Sequence, residues 1–227
     1  MSIPENIREI QRRIRQTCEK VGRSPEEIEI VAVSKTFSPE KIQEAVQCGI
    51  RHIGENRVQE AWAKFQQLGN IARWHLVGHL QTNKVKKALQ IFQTIQSVDT
   101  LYLGKEISKR VEDPGKPVEI LVQVNTSGEK TKFGVSPERA IELVKELSLL
   151  SGIKVLGLMT IGAFLPDPEE VRPCFRILKE LKEEILEQGI EGVEMKYLSM
   201  GMTDDFEVAI EEGANMIRIG RAIFGER

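Results

Sequence analysis

The sequence predicts a closed barrel of eight parallel β-strands, each followed by a helix, with an extra N-terminal helix in front. Apolar, β-branched segments alternate about eight times with amphipathic segments of helical period, and the connections between them are short. No Gly-x-Gly-x-x-Gly follows the first strand, which favours the barrel over an open doubly wound α/β sheet, the alternative. A length of 227 residues suits one barrel, so we expect a single domain over residues 1–227.

The composition excludes several classes of function. The net charge is −2 with 29% charged residues, which gives no attraction to nucleic acid or to an anionic membrane. Cys18, Cys48 and Cys174 are far apart and lack the spacing of a metal site or redox pair, which indicates reduced thiols. No apolar run resembles a leader or a membrane span. We therefore expect a monomeric cytoplasmic protein without a metal, a membrane or a nucleic-acid partner.

The first elements follow from local patterns. Residues 5–21 carry apolar side chains at helical spacing and predict the extra helix. Residues 28–35 are rich in β-branched side chains and predict a core strand that ends at Lys35. Ser38 and Pro39 then predict a helix start with a hydroxyl cap. A short strand at 52–55 precedes Asn56, which we expect to cap the next helix.

The rest of the chain repeats this alternation. Further strands are predicted at 74–78, 95–99, 118–125, 155–161, 197–201 and 216–220, with 118–125 the longest. Further helices are predicted from Asn83, over 100–111, from Ser136 and Pro137, and over 168–188, and a polar loop is predicted at 126–134.

Lys35 is the first candidate for chemistry. The carboxyl ends of barrel strands form the mouth at which ligands bind, and an amine among apolar walls there is a candidate Schiff-base nucleophile. The alternative is a lysine that extends from the strand end into water. Position alone leaves both interpretations open.

The last two strands end in a pattern that favours an anion. Segments 199–203 and 220–221 place glycine and backbone N–H groups where a helix begins, and the final loops of barrels frequently bind phosphate. Ordinary turns are the alternative. Arg218 shares a strand face with Gly220, so we expect it to point into the barrel, where it needs an acceptor. A buried salt bridge to Glu29 or Glu55 and a ligand heteroatom are the two possibilities.

Six blocks of sequence resemble one known family. They are Val-Ala-Val-Ser-Lys-Thr (31–36), His-Ile-Gly-Glu-Asn (52–56), Trp-His-Leu-Val-Gly-His-Leu-Gln-Thr-Asn-Lys (74–84), Gly-Leu-Met-Thr-Ile (157–161), Leu-Ser-Met-Gly-Met-Thr-Asp-Asp (198–205) and Arg-Ile-Gly-Arg-Ala-Ile-Phe-Gly (218–225). In this order they resemble the YggS/PROSC family of pyridoxal-phosphate-binding proteins, and they cover almost the whole chain.

The resemblance implies a fold, a cofactor and a site. The fold is the barrel of the alanine racemase N-terminal domain, fold type III among pyridoxal-phosphate proteins. Lys35 is implied to hold pyridoxal 5'-phosphate as a Schiff base, and Arg218 to face its pyridine nitrogen. The implied phosphate cradle is Ser199, Gly201, Gly220 and Arg221, and the implied pocket wall is Asn56, His75 and Met159. The implied role is intracellular vitamin B6 homeostasis, with apo-enzymes that use this cofactor as possible recipients.

We expect little or no catalytic turnover. Racemases on this barrel add a β-domain that supplies a second acid/base, whereas this sequence ends with the barrel, and its two tyrosines, Tyr102 and Tyr197, are predicted in a helix and at the entering end of a strand. Arg218 beside the ring nitrogen would also weaken the ring as an electron sink. The alternatives are a pyridoxal-phosphate-dependent amino-acid racemase or related enzyme, and a barrel aldolase that uses Lys35 on a phosphorylated sugar. A further hypothesis gives Lys132 a role in docking a second cofactor molecule.

Overall fold

The computed structural model describes residues 2–226, and these form a closed barrel of eight parallel strands. The strands lie around the barrel in chain order, and the last pairs with the first. They are β1 Glu29–Val33, β2 His52–Glu55, β3 Arg73–Leu76, β4 Thr94–Val98, β5 Val118–Gln123, β6 Ile153–Met159, β7 Val193–Ser199 and β8 Met216–Ile219. The predicted fold class is confirmed.

Helices surround the barrel. They are α1 Ile3–Lys20, α2 Pro39–Gln47, α3 Val58–Leu68, α4 Val85–Ala88, α5 Leu101–Arg110, α6 Pro137–Ser148, α7 Arg172–Glu187, α8 Phe206–Glu211 and α9 Arg221–Phe224. Short 3-10 turns precede β1, α4 and α7, at Pro25–Glu27, Thr82–Lys84 and Pro168–Val171. Within residues 2–226, none of these helices combines the length and the apolar character needed to cross a membrane.

The predicted extra helix, α1, completes the outer layer. The helix that follows β8, α9, has only four residues and cannot cover the outer face of its strand. Helix α1 packs against α9, α8 and α2, and its buried apolar stripe includes Ile7, Ile10 and Ile14. Arg13 joins it to α8 by an ion pair with Glu207, at 2.6 Å. The N-terminal helix therefore occupies the place that a longer last helix would fill.

The core has two layers, as expected for a sheet closed on itself. The larger layer lies between the sheet and the helices. A smaller apolar cluster fills the inside of the barrel and consists of Val31, Val77, Leu121, Leu156, Met159, Tyr197 and Met216. Buried polar side chains from five strands, His52, His75, Gln96, Ser199 and Arg218, share this interior and are hydrogen-bonded to one another.

The start of the chain departs from the prediction in two details. Strand β1 ends at Val33, so Lys35 is not its last residue. The Ser34 N–H still bonds the Gly54 carbonyl, and the chain then turns through Thr36, whose φ of 70° is incompatible with a continuing strand. Ser38 occupies the N-cap position of α2, as predicted, but its hydroxyl accepts no capping hydrogen bond.

Two other local predictions are wrong. Asn56 does not cap α3, because Arg57 occupies the N-cap position. Strand β5 has six residues and is shorter than β6 and β7, which have seven each, and beyond it Val124 forms an isolated bridge with Val135 in the loop before α6.

Candidate functional site

A cavity of about 640 Å³ opens at the carboxyl ends of the strands. This is the rim at which barrel proteins bind ligands, and the volume lies in the range of small-molecule sites. Its apolar walls are Val33, Phe37, Val77, Ile161, Phe164 and Met202. Its other lining residues are Lys35, Asn56, Thr203, Asp204, Arg218, Gly220, Arg221, Gly225 and Glu226.

Lys35 lies in the turn after β1, between the apolar walls formed by Val33 and Phe37. A buried lysine on α3, Lys64, holds this turn by hydrogen bonds. The Lys64 ammonium donates to the Ser34 carbonyl and to the Glu55 and Glu60 carboxylates, each at 2.7 Å. Lys64 therefore holds the backbone next to Lys35.

Two carboxylates face the Lys64 ammonium, and their pKa values are shifted in opposite directions. Burial raises the pKa of Glu55, and the adjacent Lys64 ammonium opposes that rise. Burial also acts to raise the pKa of Glu60, but hydrogen bonds from Lys64 and from the Thr36 N–H outweigh it, and the pKa is lowered. One cation thus faces two carboxylates beneath the turn.

Arg218 lies on β8, buried inside the barrel, and also lines the cavity. Its guanidinium donates to Ser199 Oγ at 2.7 Å and to the Thr160 carbonyl at 2.6 Å. Burial lowers the pKa of Arg218 to about 10, which still leaves it a cation at neutral pH. The predicted inward orientation is therefore observed.

The salt bridge considered for Arg218 is not formed. Among residues 2–226, neither Glu29 nor Glu55 pairs with it, because Glu29 bonds His52 and Glu55 bonds Lys64. The guanidinium has five N–H groups, and neutral oxygens receive two of them. A cation on the cavity wall with spare donors can bind a ligand acceptor.

The glycines at the ends of β7 and β8 differ in their surroundings. Gly201 has a φ of 89°, and an added Cβ would lie 2.6 Å from the Ala209 Cβ, so packing and backbone require glycine there. Gly220 has a φ of −108°, and an added Cβ would meet only Val33, at 3.4 Å or more. Gly220 lines the cavity, and its missing side chain leaves space for a ligand.

The other predicted site residues divide into two groups. Asn56 and Arg221 line the cavity, and the Arg221 side chain forms an ion pair with Asp204 there. Asn56 Oδ1 is buried without a hydrogen-bond partner, so this amide has capacity for a ligand. The second group does not line the cavity in the described part of the chain, and it consists of Gly201, Ser199, His75 and Met159. The side chains of the last three are fully buried.

Sequence reasoning missed Lys64 and Gln96. Lys64 lies on the same helix face as Ala61 and Phe65, where an apolar residue is expected, and that position was its signal. Strand β4 also contains Thr94 and Ser97, so Gln96 carried no comparable signal. Tyr102 is on a helix, as predicted, but Tyr197 is near the end of β7 rather than at its start. Its ring packs inside the barrel, with the Lys196 ammonium 4.7 Å from its centroid.

A second cleft, of about 950 Å³, lies at the opposite, amino-terminal end of β3 to β5. It is larger, but its charges are mixed, and two of its cations are paired, Arg73 with Glu119 and Arg110 with Glu106. It lies on the face where barrels carry structural residues rather than ligand sites. In residues 2–226 no cluster of three or more His, Cys, Asp or Glu side chains is suited to hold a metal ion.

Comparison with known proteins identifies the family. A family model described as "Alanine racemase, N-terminal domain" matches residues 5–227. A protein of Aquifex aeolicus named pyridoxal phosphate homeostasis protein is 45% identical over 100% of this chain and 99% of its own length. A crystal structure of a protein from Bifidobacterium adolescentis has a TM-score of 0.92 and 37% identity, covering 98% of this chain and 94% of that one.

PipY of Synechococcus elongatus, solved with pyridoxal phosphate bound, is also similar. Its TM-score is 0.84 and its identity 31%, over 99% of this chain and 100% of PipY. By its fold the chain is a barrel of the alanine racemase N-terminal class. Within that class it belongs to the family of pyridoxal phosphate homeostasis proteins, as the six sequence blocks predict.

Proposed function

We propose that this protein binds pyridoxal 5'-phosphate as a Schiff base on Lys35 and serves intracellular vitamin B6 homeostasis with little or no turnover. The observation that carries the proposal is one cavity lined by both Lys35, in a turn between apolar walls, and Arg218, a buried cation. An amine that attacks an aldehyde and a donor for a ring nitrogen are the two groups this cofactor needs. The relatives' names and the ligand of PipY support the same cofactor.

The residues at the cavity fit the cofactor. Gly220 leaves room for an oxyanion close to the backbone, and the next residue, Arg221, also lines the cavity, so the backbone N–H groups of both are proposed to hold the phosphate. Asn56 offers a buried amide oxygen that lacks a partner. Ser199 contributes indirectly, because its hydroxyl is engaged by Arg218. Gly201, His75 and Met159 lie behind the cavity lining, and we propose that they support the residues that contact the cofactor.

Arg218 favours storage over catalysis. When bound, pyridoxal phosphate supplies an aldehyde and a ring that can accept electrons from a carbanion, and it does so best with a protonated ring nitrogen. The Arg218 guanidinium keeps its own protons near neutral pH, since its pKa is about 10. With the cofactor bound, Arg218 would therefore donate a hydrogen bond to the ring nitrogen without transferring a proton to it. Of the two carboxylate residues of the described chain that line the cavity, Asp204 and Glu226, the first forms an ion pair with Arg221.

The homeostasis role completes the proposal. A cytoplasmic monomer, one domain over residues 1–227, would keep a reactive aldehyde bound and release it to apo-enzymes. Lys132 donates to the Gly162 carbonyl at 2.9 Å and lies over the ring of Phe164, which lines the cavity, and we propose that it helps a second cofactor molecule to dock.

A cofactor titration tests the proposal. Purified native protein, Lys35→Ala and the exposed rim control Lys130→Ala are titrated with pyridoxal phosphate and followed by visible absorption and equilibrium dialysis. We expect a Schiff-base band and saturable binding for the native protein and the control, and no band for Lys35→Ala. Equal bands in all three would contradict the assignment of Lys35.

A separate assay tests the absence of turnover. The loaded native protein is incubated with L-amino acids, and the products are separated on a chiral column. We expect D-enantiomer formation no faster than with free cofactor. Racemisation above that background would favour the amino-acid racemase alternative.

A further inference from the structure

A chain of buried polar side chains begins at Arg218 and runs away from the cavity through the barrel interior. Arg218 donates to Ser199 Oγ at 2.7 Å, and Ser199 donates to Gln96 Oε1 at 2.6 Å. The amide nitrogen of Gln96 is 3.0 Å from His75 Nδ1. These side chains come from β8, β7, β4 and β3, so the chain crosses the barrel from one side to the other.

The chain continues to the opposite rim. His75 Nε2 is 2.9 Å from His52 Nδ1, and His52 Nε2 is 3.0 Å from Glu29 Oε2. Glu29 begins β1 and is 37% exposed, whereas His75 is only 1% exposed. A surface carboxylate at the amino-terminal rim is thus linked to the cavity arginine by five consecutive hydrogen bonds.

Every donor in this chain points the same way. The Gln96 NH₂ group donates to His75 Nδ1, so that nitrogen carries no proton and the His75 proton is on Nε2. His75 Nε2–H therefore donates to His52 Nδ1, and His52 Nε2–H donates to Glu29. The chain runs from a cation to an anion, an arrangement in which successive hydrogen bonds polarise one another.

We propose that Gln96, His75 and His52 are positioning residues that hold the Arg218 guanidinium, through Ser199, in the orientation that receives the pyridine ring of the cofactor. This inference rests on the proposed function. His75, His52 and Gln96 are absent from the cavity lining in the described part of the chain, so they act only through Arg218. The proposal assigns the polar interior of the barrel to the site rather than to packing alone.

Removing the hydrogen-bond acceptor at position 52 should change the hydrogen bonds that hold Arg218. Without an acceptor at position 52, the His75 Nε2–H is buried and unpaired, which costs free energy unless the proton moves to Nδ1. Gln96 must then present its oxygen to His75 and its NH₂ group to Ser199. Ser199 Oγ would receive donors from both Gln96 and Arg218, and its own hydrogen would lose its acceptor. The hold on Arg218 is weakened.

Histidine tautomers give a test that needs no cofactor. The chain has three histidines, so ¹⁵N-labelled imidazoles can be assigned with His79→Gln and His52→Gln. We expect Nε2–H tautomers at His52 and His75 in the native protein. In Gln96→Glu the carboxylate cannot donate to His75, and we expect its Nδ1 to become protonated. Ser97→Ala is the matched control, since Ser97 is buried on the same strand with an unpartnered hydroxyl.

Cofactor binding tests the link to the cavity. His52→Leu removes the acceptor for His75, whereas His52→Gln retains an acceptor and a donor. We expect His52→Leu to weaken pyridoxal phosphate binding roughly tenfold, the equivalent of one hydrogen bond, and to shift its absorption spectrum. We expect His52→Gln and Ser97→Ala to bind with the native affinity and spectrum. If His52→Leu does not fold, Glu29→Gln, at the exposed end, serves in its place and should produce a smaller shift in the same direction.

The outcomes separate this inference from the proposed function. An Nδ1–H tautomer at His75 in the native protein overturns the positioning chain. Native binding with an unchanged affinity and spectrum in His52→Leu also overturns it, while the proposed function stands. If the native protein does not bind the cofactor, the proposed function fails, and the tautomers still decide the direction of the chain.

Discussion

Two glycines at the cavity end of the barrel show how one residue type serves two purposes. Gly201 is required by its own backbone, with a positive φ and a close approach to α8. Gly220 meets neither condition, and it lines the cavity, so its lack of a side chain leaves space there. The sequence presents both simply as glycines after a strand, and only the φ angles and neighbours separate them.

The two glycines should respond differently to alanine. Gly220→Ala should leave the free energy of unfolding within about 1 kcal/mol of native and weaken pyridoxal phosphate binding roughly tenfold, because the methyl group fills ligand space. Gly201→Ala should lower the free energy of unfolding by about 2 kcal/mol through backbone strain. Urea unfolding and equilibrium dialysis measure both quantities. Native affinity in a well-folded Gly220→Ala protein would remove Gly220 from the site.

His75 makes stability depend on pH. Burial, followed by the nearby His52 and Arg73, lowers its pKa well below the ordinary 6.5. Near pH 6.5 the unfolded chain therefore binds a proton at His75 that the folded protein does not bind. The free energy of unfolding falls as the pH drops below that value. We expect a loss of up to about 1.4 kcal/mol per pH unit below pH 6.5. Urea unfolding between pH 7.5 and 5 should show a shallower slope for His75→Gln, and identical slopes would contradict a neutral buried His75.

At the scale of single elements, sequence patterns predicted which segments are strands and helices but not how the segments end. β-branched residues locate the strands and the 3.6-residue apolar period locates the helices, because both patterns reflect the face that each element buries. Their ends depend on tertiary contacts. The turn that contains Lys35 is held by Lys64 on α3, 29 residues further along the chain. Asn56 lines the cavity instead of capping a helix.

Removing the cation beneath the turn tests its support of Lys35. Lys64→Met keeps the length of the side chain but removes the ammonium, which among residues 2–226 leaves the Glu55 carboxylate with only the Ser34 hydroxyl as a donor and the Ser34 carbonyl with only the Phe37 N–H. We expect the free energy of unfolding to fall by about 3 kcal/mol, because breaking a buried pair leaves an uncompensated charge. Cofactor affinity should fall as well, as the turn loosens.

Lys154→Met is the matched control for Lys64→Met. Lys154 forms an exposed pair with Glu194, at 2.8 Å, and exposed pairs add little to stability. We expect urea unfolding of Lys154→Met to match the native protein. The double variant Lys64→Met with Glu55→Gln should recover part of the loss, since the unpaired charge is gone. No recovery would show that Lys64 acts by packing alone.

The site itself was predictable in part. Lys35, Asn56, Arg218, Gly220 and Arg221 line the cavity because strand ends in a parallel barrel must meet at one rim. The network behind them was not predictable. Gln96 and Lys64 act through partners that are distant in sequence, and a pattern of one strand or one helix does not contain those partners.

At the scale of the whole molecule, a chain of hydrogen bonds inside the barrel links the rim at the carboxyl ends of the strands to the rim at their amino-terminal ends. One rim holds the cavity, and the other holds Glu29, where the polar chain reaches the surface. A barrel filled only with apolar side chains would be a simpler core, yet this interior contains two histidines, a glutamine, a serine and an arginine. The interior is therefore organised around Arg218, while α1 closes the outer layer that the short α9 leaves open.

The most direct test of the account is to locate the covalent link between the protein and its cofactor. Protein loaded with pyridoxal phosphate is reduced with borohydride, digested and mapped by mass spectrometry. The account predicts one pyridoxyl-modified peptide, with the modification on Lys35, and none at that position in Lys35→Ala. Modification spread over surface lysines, or located on a lysine away from the cavity, would contradict it.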